Sequence, residues 1–407
     1  MKRSLVCMIL VLLLTVSLCG CGKTPDEPAE ETVSPAEELL PEETAQPEPP
    51  LPPEPTEEEL RLDRAQEILQ GMTLSEKVGQ MFFVRCPSGD AAKEMEECQL
   101  GGYVLFKRDY QDENENWLPE DAFLSKTDSY SRSAKIPPLI GTDEEGGTVA
   151  RASRNPNLFP EKAKSPQELF AEGGLAAIYQ DAFEKNSRLL HCGINVNLAP
   201  VADVATDENA FIYDRTLGQN AEATAEYIAG VVKMMSHCDL DGEQRAIGAV
   251  LKHFPGYGNN ADTHTGIAID ERSIETFREE DFLPFRAGME AGPCAVMVSH
   301  NIVKCMDEEL PATLSPAVHR ILREELGFDG VIITDDMGMS ALETYTADGT
   351  ATVMAIQAGN DMIMTADYRE QIAQVILALE DGTLTEERID ESVLRILQWK
   401  MELGILE

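Results

Sequence analysis

From about residue 60 onward, short apolar runs rich in β-branched residues alternate with longer stretches whose apolar residues recur at helical spacing. Eight runs read as strands: residues 80–86, 102–106, 138–143, 194–199, 249–253, 295–300, 331–335 and 361–365. Strands separated by helical stretches are joined by crossovers and lie parallel. Eight of them predict an α/β fold, a single (β/α)8 TIM-type barrel. The helix punctuation agrees. Ser315 and Pro316 supply an N-cap and first-turn pair before a helix ending near Leu326, with Gly327 as its stop. Thr385 caps the last helix, whose Ile389, Val393, Ile396 and Leu397 form one apolar stripe. About 345 residues is long for a barrel of ~250, but within the range that loop insertions reach.

The chain before residue 60 follows different rules. Met1-Lys-Arg precedes an apolar run over residues 5–18, and Leu18-Cys-Gly-Cys21 closes it. A basic start, a run too short to span a bilayer comfortably and a small-residue cleavage site predict a secretory signal over residues 1–20. The Leu-x-Gly-Cys ending resembles a bacterial lipobox, which implies lipidation of Cys21. Residues 22–59 carry ten prolines and thirteen acidic residues, too little apolar surface to offset the entropy of ordering. They are expected to be a disordered acidic, Pro-rich stalk, so that residues 21–59 tether a domain spanning 60–407. The expected location is outside the cytoplasm, lipid-anchored to the membrane. A net charge of −40 leaves no basic stripe to meet phosphates and argues against nucleic acid. Cys86, Cys98, Cys192, Cys238, Cys294 and Cys305 lack ligand spacing, so no structural metal is expected and no cofactor is implied. Most read as small apolar core residues; export permits a disulfide, but its pairing is not readable from sequence.

The polar residues at the strand ends carry the chemistry. In order they are Asp143, Lys252-His253, Ser299-His300 and Thr334-Asp335-Asp336. In a barrel of this type the site is built from the carboxyl ends of several strands. After Lys252-His253 the chain turns through Pro255, Gly256 and Gly258 into a loop ending at Asp262 and His264. Two residues apart in an extended segment, these share a side, so the carboxylate could orient the imidazole as a general acid/base. Alone, the pair reads more readily as a surface loop with a stray histidine, and the strand-end Lys-His with the glycine-rich lead-in reverses that. Asp335 ends a core strand, desolvated on one side and open on the other, which suits a positioned nucleophile. Alone it reads as a loop carboxylate or helix cap.

Taken together, K-H-F-P-G-x-G…D-T-H, G-F-D-G-V-I-I-T-D-D-M-x-M, D-E-E-G-G-x-V-x-R and D-R-T-L-G resemble glycoside hydrolase family 3, in its bacterial β-N-acetylglucosaminidase branch. The resemblance covers residues 60–407. It implies Asp335 as nucleophile, His264 as general acid/base and Asp262 as its partner. It further implies that Asp143, Arg151, Arg215, Lys252 and His253 hold the sugar hydroxyls and N-acetyl group in the −1 subsite. The chemistry is consistent. A retaining glycosidase needs a nucleophile on one face and a proton donor over the leaving oxygen, while Arg and Lys supply directional donors. Two positions depart from the branch: Tyr257 replaces a common second histidine, and Thr148 replaces an arginine. Both are expected to bear on the subsite beyond the cleaved bond.

The resemblance implies a monomeric hydrolase removing terminal N-acetylglucosamine from peptidoglycan fragments or chitooligosaccharides, with water or phosphate as acceptor. Two other readings stand beside it. A β-glucosidase or β-xylosidase of the same family generally takes its acid from a carboxylate on another domain. A catalytically silent cell-wall-binding lipoprotein would be expected to have lost Asp335, Asp262 or His264, and all three are present.

Overall fold

The computed structural model describes residues 55–258, 266–342, 345 and 350–407. Cys21, the expected signal and most of the expected tether, together with Asp262 and His264, lie outside the described residues.

Residues 55–407 form one compact unit. Its first element is α1 (Glu57–Gly71), begun by a reciprocal capping box between Thr56 and Glu59. Glu57, Glu58 and Glu59 fill its first turn, where the helix dipole favours negative charge. Residues 57–59, read from composition as the end of the tether, therefore begin the domain instead. A second capping box, Thr73 with Glu76, starts α2 (Leu74–Gln80), which leads into the barrel.

The barrel strands are β1 (Phe82–Arg85), β2 (Gly102–Leu105), β3 (Leu139–Thr142), β4 (Val196–Asn197), β5 (Gly248–Phe254), β6 (Cys294–Val298), β7 (Ile332–Thr334) and β8 (Ile363–Thr365). Each pairs in parallel with its sequence neighbours from β1 to β7, and β1 pairs with β8. A parallel bridge between Ile333 and Met362 brings β7 against β8 and completes the ring. All eight expected strands are found. β4 is shorter than expected, its ladder with β5 pairing only Val196 with Gly248 and Asn197 with Ala249. The 80–86 run is also shorter, since Gln80 ends α2. The β5 backbone is cis at Lys252–His253 and at Phe254–Pro255.

The crossovers are helical: α3 (Ala91–Cys98), α4 (Glu120–Ser133), α5 (Pro166–His191), α6 (Ala221–Met235) and α7 (Phe282–Ala291). They continue with α8 (Pro316–Arg320), α9 (Ala351–Ala358) and α10 (Tyr368–Glu380), and α11 (Glu386–Glu402) closes the chain. Ser315 caps α8 as expected, although a π turn over Ile321–Glu325 replaces its second half. The α11 stripe of Ile389, Val393, Ile396 and Leu397 is wholly buried.

Polar groups buried near the amino ends of the strands serve architecture. Asp361 accepts the Ile332 N–H at 2.9 Å and pairs with Arg323 at 2.6 Å and Arg395 at 3.3 Å. Lys400 of α11 reaches Gln80 of α2 at 2.7 Å, out of contact with solvent. Cys86, Cys192, Cys238 and Cys294 are buried and Cys305 is exposed; none of the described cysteines is in a disulfide.

Candidate active site

Because the eight strands are parallel, their carboxyl ends share one face, where this fold assembles its chemistry. β3 runs into Asp143, Glu144 and Glu145; β5 presents Lys252 and His253; β6 leads to His300, and β7 to Asp335 and Asp336.

A charge-paired relay joins the first two groups. Lys252 Nζ lies 2.8 Å from Asp143 Oδ1 and 2.7 Å from Glu145 Oε1. Arg215, from the loop after β4, forks onto Glu145, with Nε 2.9 Å from Oε2 and Nη2 2.7 Å from Oε1. Burial pushes the Glu145 carboxyl up, but Arg215 and Lys252 outweigh it and hold the group at about 2. Burial pushes Lys252 down, and Asp143 and Glu145 reverse this, leaving it above its ordinary value. Glu145, Lys252 and Arg215 thus stay charged together, which a desolvated cluster sustains only when every member is paired.

His253 is held from both sides. Its Nδ1 faces Asp203 Oδ2 at 2.7 Å and its Nε2 lies 3.2 Å from Arg215 Nη2. A carboxylate only accepts and a guanidinium only donates, so Nδ1 carries the proton and Nε2 accepts. Asp203 also accepts the backbone N–H groups of His253 at 3.1 Å and Tyr257 at 2.7 Å, so one buried carboxylate fixes both ring and backbone.

Asp335 is 8% exposed. Its backbone N–H donates to Val298 O at 3.0 Å, in continuation of the β7 ladder. Its Oδ1 accepts the Asp336 N–H at 2.8 Å, and among the described residues Oδ2 has no hydrogen-bond partner. Burial pushes this carboxyl up, but His300, the Asp336 N–H and Lys252 help to hold it below the usual carboxylate range. Asp336 is already engaged: its Oδ2 lies 2.5 Å from Arg85 and its Oδ1 accepts the Gly338 N–H at 2.9 Å. His300 is fixed between Thr313 Oγ1 at 2.7 Å and Asp336 O at 3.0 Å. Of the two adjacent aspartates, Asp335 is the one with an ionised oxygen to spare.

Glu144 is fully buried and accepts the N–H groups of Arg151, Ala152 and Ser153 at 2.9, 2.7 and 3.2 Å, together with the Ser153 hydroxyl. It therefore shapes the loop that presents Arg151. The Arg151 guanidinium carbon sits 5.9 Å from the Phe106 ring centroid, and among the described residues its buried Nε has no partner. A buried donor left without a partner is costly.

The structure thus brings Asp143, Arg215, Lys252, His253 and Asp335 to one face, with Arg151 on a neighbouring loop. His300, one of the polar strand ends expected from sequence, lies among them, and Glu145 and Asp203 join them without having been singled out by sequence. A buried imidazole needs a partner, so a search for an acid near His253 would have pointed toward Asp203. Tyr257 is buried, edge-on to the His253 ring at 5.1 Å and to Phe211 at 5.0 Å. Its influence therefore falls on the residues that hold His253, whereas Thr148 is exposed. No group of three or more potential metal ligands occurs among the described residues. Among the described residues this face offers the ionised Asp335 carboxylate on the same barrel end as the paired donors Lys252 and Arg215, a setting for a polyhydroxylated ligand.

A parallel eight-stranded barrel with such a carboxylate at the carboxyl ends of its strands is the setting in which barrel enzymes assemble their chemistry. The chain belongs to glycosyl hydrolase family 3: residues 73–399 match the model of the "Glycosyl hydrolase family 3 N terminal domain". It is 33% identical over 298 residues to a β-hexosaminidase of Stenotrophomonas maltophilia, covering 70% of this chain and 81% of that one. A family 3 β-N-acetylglucosaminidase of Paenibacillus superimposes with a TM-score of 0.72 at 30% identity, over 82% of this chain and 63% of that one. The β-N-acetylglucosaminidase of Thermotoga maritima matches with a TM-score of 0.66 at 25% identity, over 81% and 68% of the two chains. This chain thus spans less than two thirds of the Paenibacillus protein.

Proposed function

We propose that this protein is a retaining glycosidase that hydrolyses terminal β-linked N-acetylglucosamine from peptidoglycan fragments or chitooligosaccharides. The observation that carries the reading is Asp335, buried, held ionised and with one oxygen unengaged, beside a cluster of fixed donors. The names of the similar proteins support the sugar: a β-hexosaminidase and two β-N-acetylglucosaminidases.

In the first step Asp335 Oδ2 attacks the anomeric carbon, a glycosyl ester forms and the bond to the aglycone oxygen breaks. That oxygen takes its proton from His264, oriented by Asp262. In the second step His264 removes a proton from water, which attacks the same carbon and returns Asp335 as carboxylate. Lys252, Arg215, His253, Asp143 and Arg151 hold the sugar and its acetamido group. Lys252 and Arg215 are paired with Asp143 and Glu145, so they serve as directional donors to the sugar, and the charge of Lys252 also helps to keep Asp335 ionised. The protein acts outside the cytoplasm, tethered through a lipid on Cys21 after removal of residues 1–20; the sequence pattern alone supports this part.

The test compares a nitrophenyl N-acetylglucosaminide with the glucoside bearing the same leaving group. A pocket built around an amide leaves its own donors unpaired when the amide is absent, so kcat/KM should favour the acetamido sugar by ~10²-fold or more. Comparable values for the two would move the assignment to a glucosidase.

A further inference from the structure

The reaction proposed above leaves one cleft on this face unused. It lies between the stretch that follows β2 and the loop that follows β3, and its volume is about 610 Å³. Lys107, Trp117, Ser153, Arg154 and Lys162 are among the residues that line it. Its walls are tied together: Asn155 Nδ2 donates to Leu118 O at 2.9 Å, and Asn157 Nδ2 to Trp117 O at 3.3 Å. Its floor hangs on Glu144, which holds Ser153 by backbone and hydroxyl, and Ser153 Oγ in turn accepts the Ala163 N–H at 2.9 Å. The carboxylate that shapes the Arg151 loop therefore shapes this cleft as well.

The cleft adjoins the reaction centre. Asp336, next to Asp335, pairs with Arg85 at 2.5 Å, and the Arg85 guanidinium carbon sits 4.9 Å from the Phe106 ring centroid. Arg151 lies against the same ring, and Lys107 follows it in the chain. Phe106 thus joins the neighbour of Asp335 to the cleft wall.

A chain with net charge −40 repels anions at long range. Here the sign reverses. Lys107, Arg154 and Lys162 are exposed, and among the described residues none of them has a salt-bridge partner; the cleft's lining carboxylate is Glu161. Beside these cations stands the half-buried indole of Trp117. Unpaired cations next to an aromatic face suit a ligand that carries carboxylates on a partly apolar stem.

We propose that this cleft is a binding site for an acidic peptide arm carried by the aglycone, so that peptide-bearing glycan fragments are bound in preference to neutral oligosaccharides. The proposal rests on the glycosidase reading for its place in the reaction, but the binding itself is measured without turnover.

The chain has two tryptophans, and Trp399 is buried in α11, so a change in emission on binding reports on Trp117. The probe is N-acetylmuramyl-alanyl-glutamate, which has no N-acetylglucosamine to cleave, titrated beside its diamide. The free acid should give a saturable change, stronger than the diamide and weakened by salt, since exposed charges are screened. Exposed pairs are worth roughly two- to five-fold each, so Lys107→Glu/Lys162→Glu should raise the Kd of the acid about tenfold or more. The same variant should lose that factor in KM, with kcat kept, on an N-acetylglucosaminyl glycan whose aglycone bears the peptide. Turnover of nitrophenyl N-acetylglucosaminide, which lacks the arm, should not change. If the double variant does not fold, Lys162→Gln must weaken the acid and not the diamide. Equal affinity for acid and diamide, or an affinity for the acid that the substitutions leave untouched, overturns the proposal. Failure of the natural protein to hydrolyse any N-acetylglucosaminide would instead remove the glycosidase reading, while the titration still decides whether the cleft holds the peptide.

Discussion

Asp335 and Asp336 are adjacent in sequence, yet their surroundings give them different work. Asp336→Asn removes a partner of Arg85 and should leave kcat within about tenfold, whereas Asp335→Ala should remove the covalent intermediate and essentially all turnover. Steady-state rates on a nitrophenyl substrate decide between them; comparable losses would spread the chemistry over both. Asp203 acts at one remove. Asp203→Asn should turn the His253 ring and lower kcat/KM roughly 10- to 100-fold, the scale on which a small misplacement of a reacting group acts. An unchanged kcat/KM would show that His253 needs no orienting. How much of this was legible in sequence depends on distance along the chain. Lys252, His253 and Asp335 could be picked out because each terminates an apolar run. Glu145 and Asp203 could not be ranked that way, since their importance comes from partners 70 and 50 residues away. The role of Glu144, which looks like an active-site acid, is settled only by the three N–H groups folded around it.

The strands were legible because burial on both faces demands continuous apolar runs, and eight such runs survive any error at their ends. Their ends were less so: β4 keeps only Val196 and Asn197 in its ladder, and Gln80 is a helix end paired with Lys400 rather than part of β1. That lysine has a measurable consequence. Burial pushes it from 10.5 down to about 7. Above the folded value and below the unfolded one, the unfolded chain binds a proton that the folded chain does not. Stability should therefore rise with pH across that window. Lys400→Met should lose this rise, so the melting temperature of the natural protein should gain on that of the variant between about pH 7.5 and 9.5. Parallel curves would mean that Lys400 stays charged in the fold.

For the molecule as a whole, the division of labour between the barrel's two ends is clear. The amino-end face buries Asp361 and Lys400 for architecture, and the carboxyl-end face holds the donors around Asp335. If Cys21 is lipidated, Cys21→Ser should release the protein into the medium with activity per folded molecule unchanged; failure of a fatty-acid label to mark the natural protein would refute the anchor. The central claim, a glycosyl-enzyme on one particular carboxylate, is tested most directly by mass. Incubation with a mechanism-based fluorosugar followed by intact-mass measurement should show one added glycosyl unit, and peptide mapping should place it on Asp335. A label on Asp336 or Glu144, or no covalent adduct while the enzyme is turning over, would contradict it.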